Sequence, residues 1–384
     1  MSAPTMSLLY TEVEEELRAA VRDLLTDRSG PAAVLARADT AASGGVPYDS
    51  ELWTALARDI GAAGLLVPEE LGGAGASARE AAVVLEELGR AVAVVPFFSS
   101  AVLATSALLA CDGPAARDLL GRLASGETTA ALAVSLAASP YRPPEPAVEL
   151  RADGTVLGTV TGVIGAEVAD VLLVPVRHAG GRALCAVERT APGVSITPVT
   201  SLDLTRPIAT VSFGGAPAEV VAEGDGPVRD ALVTGAGLLA SEQLGIADWC
   251  LTTTVAYVKE RKQFARPIGS FQAIKHRLAD LWLEVVGARA AARNAAAHLA
   301  CWGAGSAGSG EVATAVAVAQ AHCGTVAVHA AEECIQLHGG IGMTWEHPAH
   351  LYLKRAKADE IALGTPGDHR NALAGLADLP GPVS

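Results

Sequence analysis

Apolar residues recur every three or four positions near the start of the chain, opposite an acidic face: Val13, Leu17, Val21 and Leu24. This is the pattern of an amphipathic helix. Thr11 with Glu14, and Ser77 with Glu80, have the spacing of capping boxes, in which each side chain satisfies a free backbone N–H of the first helical turn. The sequence therefore predicts helices that begin at these two places, within a helical domain of residues 1–126.

The apolar runs then shorten to strand length, and Gly, Pro and Asp separate them: Ala130–Leu136, Val156–Thr161, Val171–Val176, Ala183–Val187 and Ile208–Phe213. Such runs predict a small, mostly antiparallel β domain, which we place at 127–224. The proline-rich stretch 140–146 cannot supply the N–H donors of a central strand, so it is predicted to lie on the surface.

Helical periodicity returns after residue 225 and continues to the end of the chain, and its clearest run is Phe271, Ile274, Leu278, Leu281 and Val285. We predict a third, helical domain over 225–384. Because strands and helices fall into separate blocks without βαβ alternation, the fold class is α+β.

Charge and cysteine content narrow the functional classes. The chain has 28 Lys and Arg against 42 Asp and Glu, a formal charge of −14, which argues against general nucleic-acid binding. Its six cysteines form no C-x-x-C pair, which indicates reduced thiols and a cytoplasmic location. Two uncharged stretches, 91–111 and 312–331, are rich in alanine and are expected to be buried helices rather than membrane spans.

A basic island interrupts this acidic chain, and between positions 259 and 277 its one acidic residue is Glu260. Its cations are Lys259, Arg261, Lys262, Arg266, Lys275 and Arg277. Pro267 and Gly269 place the island at a turn between two helices. Arginine forks and free N–H groups at such a turn suit a pyrophosphate, but a solvated charged turn would give the same pattern.

The glycines of the segment 336–347 are a second candidate. Gly339 and Gly340 follow a helical run and would let a ligand approach the backbone, although a helix C-cap with a turn is the simpler alternative. The segment lacks the features of a P-loop or a Rossmann fingerprint. The nearby His338, His347 and His350 do not form an H-E-x-x-H motif, so no metal site is expected.

Three blocks together resemble the acyl-CoA dehydrogenase family: 65–75, 257–280 and 336–352. They stand in the family's order and spacing along nearly the whole chain. The resemblance implies an N-terminal helical domain, a β-barrel-like middle domain and a C-terminal four-helix bundle. It also implies an acyl-CoA substrate, FAD, a tetramer in which each flavin is shared between subunits, and an electron-transfer flavoprotein as a possible partner.

Six residues match family positions that hold the pyrophosphate and adenosine of a neighbouring subunit's FAD, and we call them the FAD half-site: Arg261, Phe264, Gln272, Gln336, Gly339 and Gly340. Thr365, in the family's Gly-Thr pair near the C-terminus, is a further expected cofactor contact.

The catalytic half of the family pattern is missing. In the family a carboxylate removes the α-proton while the β-hydrogen leaves as hydride to the flavin. Leu363 occupies the usual glutamate position before Gly-Thr, and Gly235 the position used by some members. The family's flavin-contacting motif, T-E-P-x-A-G-S-D, is reduced to V-S-L-A-A-S at 134–139. The stretch K-x-x-I-T-N-G is replaced at 160–167.

Three interpretations follow. The chain is the base-lacking subunit of a heteromeric acyl-CoA dehydrogenase, or a homo-oligomer whose base has moved, or a scaffold without flavin chemistry. Glu242, Asp359 and Glu360 are the candidates for a relocated base. We favour the first two interpretations jointly, as acyl-CoA dehydrogenase function in a homo-oligomer or a heterotetramer, because a scaffold would have little physical reason to keep the FAD half-site. Of the two, the heteromeric form is preferred.

Overall fold

The computed structural model describes residues 7–45, 48–301 and 310–379. The N-terminal block is helical, as predicted, with α1 (Glu12–Arg28), α2 (Pro31–Ala42), α3 (Ser50–Thr54), α4 (Ala78–Ala91), α5 (Thr105–Leu109) and α6 (Pro114–Ala124). Two wider π-helical segments, Ala55–Asp59 and Phe97–Ala104, extend α3 and precede α5.

Both predicted capping boxes are confirmed. The Thr11 N–H donates to Glu14 Oε2 at 2.6 Å, and the Glu14 N–H donates back to Thr11 Oγ1 at 3.3 Å. The Ser77 N–H likewise donates to Glu80 Oε2 at 2.8 Å. These bonds satisfy N–H groups that a helix start would otherwise leave free, which fixes where α1 and α4 begin.

The middle block forms one sheet of β1 (Ala130–Leu132), β2 (Val148–Leu150), β3 (Thr155–Ile164), β4 (Val171–His178), β5 (Gly181–Glu188), β6 (Val194–Val199), β7 (Ile208–Pro217) and β8 (Glu219–Glu223). The order is β6-β7-β3-β2-β4-β5-β8, with β1 beside β4. Pairing is antiparallel except that β1 and β2 run parallel to β4. The hydrogen-bonded order ends at β6 and β8, so the β domain expected from the family resemblance is built on one sheet with two edge strands.

The C-terminal helices are α7 (Gly226–Glu260), α8 (Gln272–Cys301), α9 (Gly310–His338), α10 (Ala349–Ile361) and α11 (Pro366–Leu376). Within α8, Leu278, Leu281 and Val285 are buried as the periodicity predicts. In the part of the chain that is described, one stretch, Gly310–Met343, has the length and apolar composition to cross a membrane. Its most apolar window is 61% buried inside the protein.

Glycines allow α4 and α7 to pack backbone against backbone. A Cβ atom at Gly89 on α4 would overlap the carbonyl oxygen of Glu242, and one at Gly245 on α7 would overlap that of Glu86. The contact ties the N-terminal domain directly to the longest helix of the C-terminal domain. The position of α7, and of every side chain on it, is therefore set by both domains.

Candidate functional site

A tight hairpin follows α7, with β9 (Lys262–Gln263) paired to β10 (Arg266–Pro267). Its two central residues, Phe264 and Ala265, have φ of 51° and 60°. Positive φ at both positions is the geometry of a type I′ turn, which usually contains Asn or Gly because a side chain there is strained. Phe264 is 86% exposed. The hairpin therefore holds a large apolar side chain outward at a cost in backbone strain.

The cations of the basic island surround this hairpin and are exposed. In the described part of the chain, the side chains of Lys259, Arg261 and Lys262 make no ion pair or hydrogen bond. Arg266 lies over the ring of Phe271, 3.9 Å from its centroid. The hairpin thus presents several cations that the chain itself does not neutralise, which is the donor set of an anion-binding surface.

The predicted glycine segment lies beside the hairpin. Tyr257, in the last turn of α7, stacks on His338 of α9 with ring centroids 4.3 Å apart and donates a hydrogen bond to its carbonyl oxygen at 3.4 Å. Gly339 follows with φ of 63°, and no heavy atom lies within 4 Å of a Cβ built on Gly339 or Gly340. Gln336 is exposed on the same turn. The structure therefore brings the two sequence blocks of the FAD half-site to the same end of the bundle.

Thr365 lies at the start of α11, directly after the loop of Leu363. Its hydroxyl accepts from the Asp368 N–H at 3.2 Å and donates to Asp368 Oδ2 at 2.7 Å, so it caps the helix. This capping box already accounts for the hydroxyl group. A cofactor contact at Thr365 stays a prediction.

The two family positions for the base converge. A Cβ built on Gly235 would lie 3.0 Å from Leu363 Cδ1 and would overlap Leu103 Cδ2. Leu363 is fully buried and Leu103 is 2% exposed, both in the same apolar cluster. We call these three residues the base locus. Leucine side chains fill the place that either carboxylate would reach, and a hydrocarbon cannot accept a proton.

Backbone hydrogen bonds hold the base locus against the β domain. Leu363, with φ of 54°, donates its N–H to the carbonyl oxygen of Leu136 at 2.8 Å. The Leu136 N–H donates to Gly162 O at 2.9 Å. The two eroded flavin motifs and the base loop are therefore in direct contact with each other.

Two cavities lie near these motifs. One is very small, and the other has a single charged residue in its lining. One of about 20 Å³ lies between Ile164, Phe98 and Glu242, enough for about one water molecule. Another of about 200 Å³ is bounded by Val134, Val160 and the proline-rich segment, and Glu145 is the only charged residue that lines it. Neither cavity is lined by Leu363 or Gly235.

Tyr141 and His369 also join the proline-rich segment to the base loop, and no motif in the sequence indicated this pair. The Tyr141 hydroxyl lies 2.8 Å from His369 Nδ1, across 228 positions of sequence. His369 is fully buried, and burial lowers its pKa to about 4. The imidazole is therefore neutral at pH 7, and it fastens the loop that carries Leu363.

Two of the candidate bases belong to a buried ionic cluster. Arg206 pairs with Glu242, and Arg355 donates to Glu242 at 2.5 Å and to Asp203 at 2.6 Å. Burial opposes ionisation of Glu242, but the two guanidinium groups outweigh it and lower its pKa. Burial raises the pKa of Asp359 well above its ordinary range, although Arg206 lies 3.1 Å away.

These contacts join three parts of the chain. Arg206 comes from the loop between β6 and β7, Glu242 from α7, and Arg355 from α10. Glu242 follows Gly235 by seven residues, roughly 10 Å along the helix axis. Glu360 is half-buried and lies 3.5 Å from Lys357 Nζ. The candidate bases thus have ionic partners of their own, outside the leucine contact of the base locus.

Sequence profiles of one family match most of the chain. The profile of the acyl-CoA dehydrogenase N-terminal domain matches residues 11–127, and that of the C-terminal domain matches residues 224–375. Among curated proteins, acyl-CoA dehydrogenase IpdE2 of Mycobacterium tuberculosis is 37% identical over 355 residues, covering 92% of this chain and 94% of its own. The IpdE2 protein of Mycolicibacterium smegmatis is 35% identical, covering 94% and 98%.

Solved structures agree with these matches. The ChsE4-ChsE5 complex of Mycobacterium tuberculosis contains a chain that is 30% identical, with a TM-score of 0.84, covering 98% of this chain and 100% of its own. A variant of the Tcur3481-Tcur3483 steroid ACAD is 28% identical, with a TM-score of 0.82, covering 96% and 98%. Members of the matched family are oxidoreductases that act on CH–CH donors and bind FAD.

Proposed function

The chain belongs to the acyl-CoA dehydrogenase family, and from this premise we propose that it is the subunit that lends an FAD half-site to a base-bearing partner. The observation that carries the proposal is the base locus, where Leu363 and Gly235, the two family base positions, meet in a packed leucine contact. No proton acceptor lies there, so the α-proton of a thioester would find no base in this subunit.

The FAD half-site residues fit the pyrophosphate and adenosine end of the cofactor. Arg261 is exposed without an ionic partner in the described chain, so its fork is free for a phosphate. The open space at Gly339 and Gly340 allows close approach to the backbone. When bound, FAD supplies the hydride acceptor. This chain's contribution is to bind and orient the cofactor's nucleotide end.

The chain's own flavin side does not fit the ring system. The Leu136–Leu363 hydrogen bond joins the eroded motif to the base loop. The cavity at the two eroded motifs, about 200 Å³ and bounded by Val134 and Val160, is lined by no cation, and its one charged residue is Glu145. We therefore assign one complete site to each pair of unlike subunits, and a heterotetramer to the assembly.

Two solved relatives support this assembly and suggest a substrate class. One neighbour is described as a ChsE4-ChsE5 complex, and another, named with two components, as a steroid ACAD. We propose that the heteromer oxidises an acyl-CoA whose acyl group carries a steroid-type ring system, and that an electron-transfer flavoprotein is the first acceptor to test.

The flavin content of the purified chain tests the proposal. Produced alone, the chain should retain little FAD after desalting. Produced with a homologous subunit that has a carboxylate directly before its Gly-Thr, it should give about one FAD per heterodimer and acyl-CoA-dependent flavin reduction. One FAD per chain together with turnover by the isolated protein would reject the base-lacking role.

Two variants locate the contribution of each subunit. Arg261→Gln in this chain should reduce the FAD retained by the heteromer, while Arg117→Gln, an exposed arginine on α6, should leave it unchanged. Replacing the partner's carboxylate with its amide should abolish turnover and leave FAD bound.

For Glu242, Asp359 and Glu360, the amide variants that fold should retain turnover in the heteromer.

A further inference from the structure

The basic island around the hairpin carries more positive charge than an FAD pyrophosphate can neutralise. Five of its cations are exposed and lack an ion pair within the described chain: Lys259, Arg261, Lys262, Arg266 and Lys275. The sixth, Arg277, is bound to Glu333 at 2.5 and 2.8 Å. A pyrophosphate brings two negative charges, and Glu260 is the only acidic residue between positions 259 and 277. A positive surplus therefore remains when the FAD half-site is filled.

This concentration of unpaired charge is unusual in the molecule. Several arginines elsewhere have carboxylate partners, among them Arg18 with Glu87 at 3.0 Å, Arg79 with Glu14 at 2.5 Å and Arg182 with Asp225 at 3.1 Å. Exposed arginines without an ion pair in the described chain, such as Arg117 and Arg151, are far apart in sequence. In a chain with a net charge of −14, acidic partners are plentiful. The hairpin cations remain free although such partners are available, which indicates that their partners are on another molecule.

The hairpin and the adjoining part of α8 have the composition of a protein interface. Phe264 is 86% exposed at the hairpin tip, and on α8, the helix that carries Lys275, Trp282 and Leu283 are 55% and 61% exposed. Aromatic and aliphatic side chains surrounded by charged groups are typical of subunit contacts. Cations buried under a partner without acidic groups opposite them would cost more free energy than their contacts return.

We propose that this surface, Lys259–Lys275, binds an acidic face of the base-bearing partner subunit, with carboxylates that flank the partner's bound FAD. The inference rests on the proposed function and adds the chemistry by which the partner is recognised. On the proposed function a second copy of this chain is a poor occupant, because its own base locus holds Leu363 and its eroded motifs line a cavity without cations, so it offers the hairpin no FAD to meet. Charge complementarity of this kind mainly accelerates association.

Association kinetics with the FAD-loaded partner subunit test this inference. The double variant Lys262→Glu/Lys275→Glu reverses two cations outside the FAD half-site. Arg117→Glu/Arg151→Glu makes the same change in net charge at two exposed arginines on α6 and after β2. Association rates would be measured by biolayer interferometry from 50 to 500 mM NaCl.

The hairpin variant should associate at least about tenfold more slowly at low salt and should lose most of the salt dependence, with the control within about twofold of wild type. At saturating concentrations it should still form heteromer with FAD bound. Equal rates for both double variants, with the salt dependence intact, would overturn the inference while leaving the half-site function in place.

A phosphate of the substrate is the alternative partner for these cations. In that case the hairpin variant would associate normally but show a raised KM for acyl-CoA, and that result would also overturn the proposal. Absence of any FAD-containing heteromer with wild-type chain would refute the proposed function itself.

Discussion

The hairpin and the base locus both hold non-glycine residues in left-handed backbone conformations, but their surroundings are opposite. Phe264 and Ala265 are exposed, with unpaired cations beside them, whereas Leu363 is fully buried and its N–H is bonded to Leu136. Packing compensates the strain at Leu363 within the chain. At the hairpin Phe264 meets the ring of Phe271 edge-on, with centroids 6.1 Å apart, and its side chain stays 86% exposed, so we assign the compensation there to a bound partner.

The strongest test of this contrast is to restore a carboxylate at the base locus. Leu363→Glu places a charge among Leu103, Gly235 and other apolar groups without a cation opposite, so unfolding free energy should fall by about 3–5 kcal/mol. Urea denaturation measures this change, with Leu363→Met as a size-matched control expected to cost under about 1.5 kcal/mol. Full stability of the glutamate variant would mean that the locus opens to solvent.

The second-largest effect is expected on acidification, which should destabilise the loop that carries Leu363. His369 is buried with its pKa lowered to about 4, so the folded state binds fewer protons than the unfolded state below the unfolded pKa of about 6.5. The stability contributed by neutral His369 is therefore fully present above the unfolded pKa and is lost as pH falls through the folded pKa. Between pH 7.5 and 4.5, this amounts to about 2–3 kcal/mol.

The measurement is urea unfolding of wild type and His369→Gln at both pH values. Glutamine can keep a hydrogen bond to Tyr141 but does not titrate, so the variant should lose less stability on acidification. Identical pH dependence in the two proteins would show that His369 is accessible to protons in the folded state.

At the hairpin the strain itself can be removed. Ala265→Gly should stabilise the isolated chain by about 1 kcal/mol, because glycine adopts a φ of 60° without the Cβ penalty. Thermal unfolding measures the gain, and Ala273→Gly on the exposed face of α8 is a control that should destabilise instead. Loss of stability in Ala265→Gly would mean that the left-handed turn is not strained.

The smallest effect on the chain alone is expected for Phe264→Ala. The side chain is 86% exposed, so the unfolding free energy should change by less than about 0.5 kcal/mol. In the heteromer the same variant should lower the FAD retained after desalting. A large loss of stability without any loss of FAD would instead make Phe264 part of the chain's own core.

The sequence predicted the parts of the fold that depend on local pattern. The capping boxes at Thr11 and Ser77 were correct, as were the core strands β3, β4, β5 and β7. The strands β2, β6 and β8 were missed. Of these, β6 and β8 are edge strands with mostly exposed residues, and Pro198 lies within β6, so the apolar signal is weak.

The candidate site was predictable in one half only. Contiguous blocks marked the hairpin and the glycine turn, since resemblance depends on neighbouring residues. The meeting of Leu363 with Gly235, the Tyr141–His369 pair and the ionic cluster around Arg206 all join residues that are far apart in sequence. Spacing carries no information about such contacts, which depend on how the domains pack.

The glycine contact between α4 and α7 has a consequence for evolution. If the proposed function holds, the chain does not need a catalytic pocket of its own, and its N-terminal domain could in principle be lost. Here α7 is supported by α4 through Gly89 and Gly245, and the hairpin begins where α7 ends. Removal of α4 would leave the helix that carries the hairpin without this support, so on the proposed function the N-terminal helices are needed to present the hairpin to a partner.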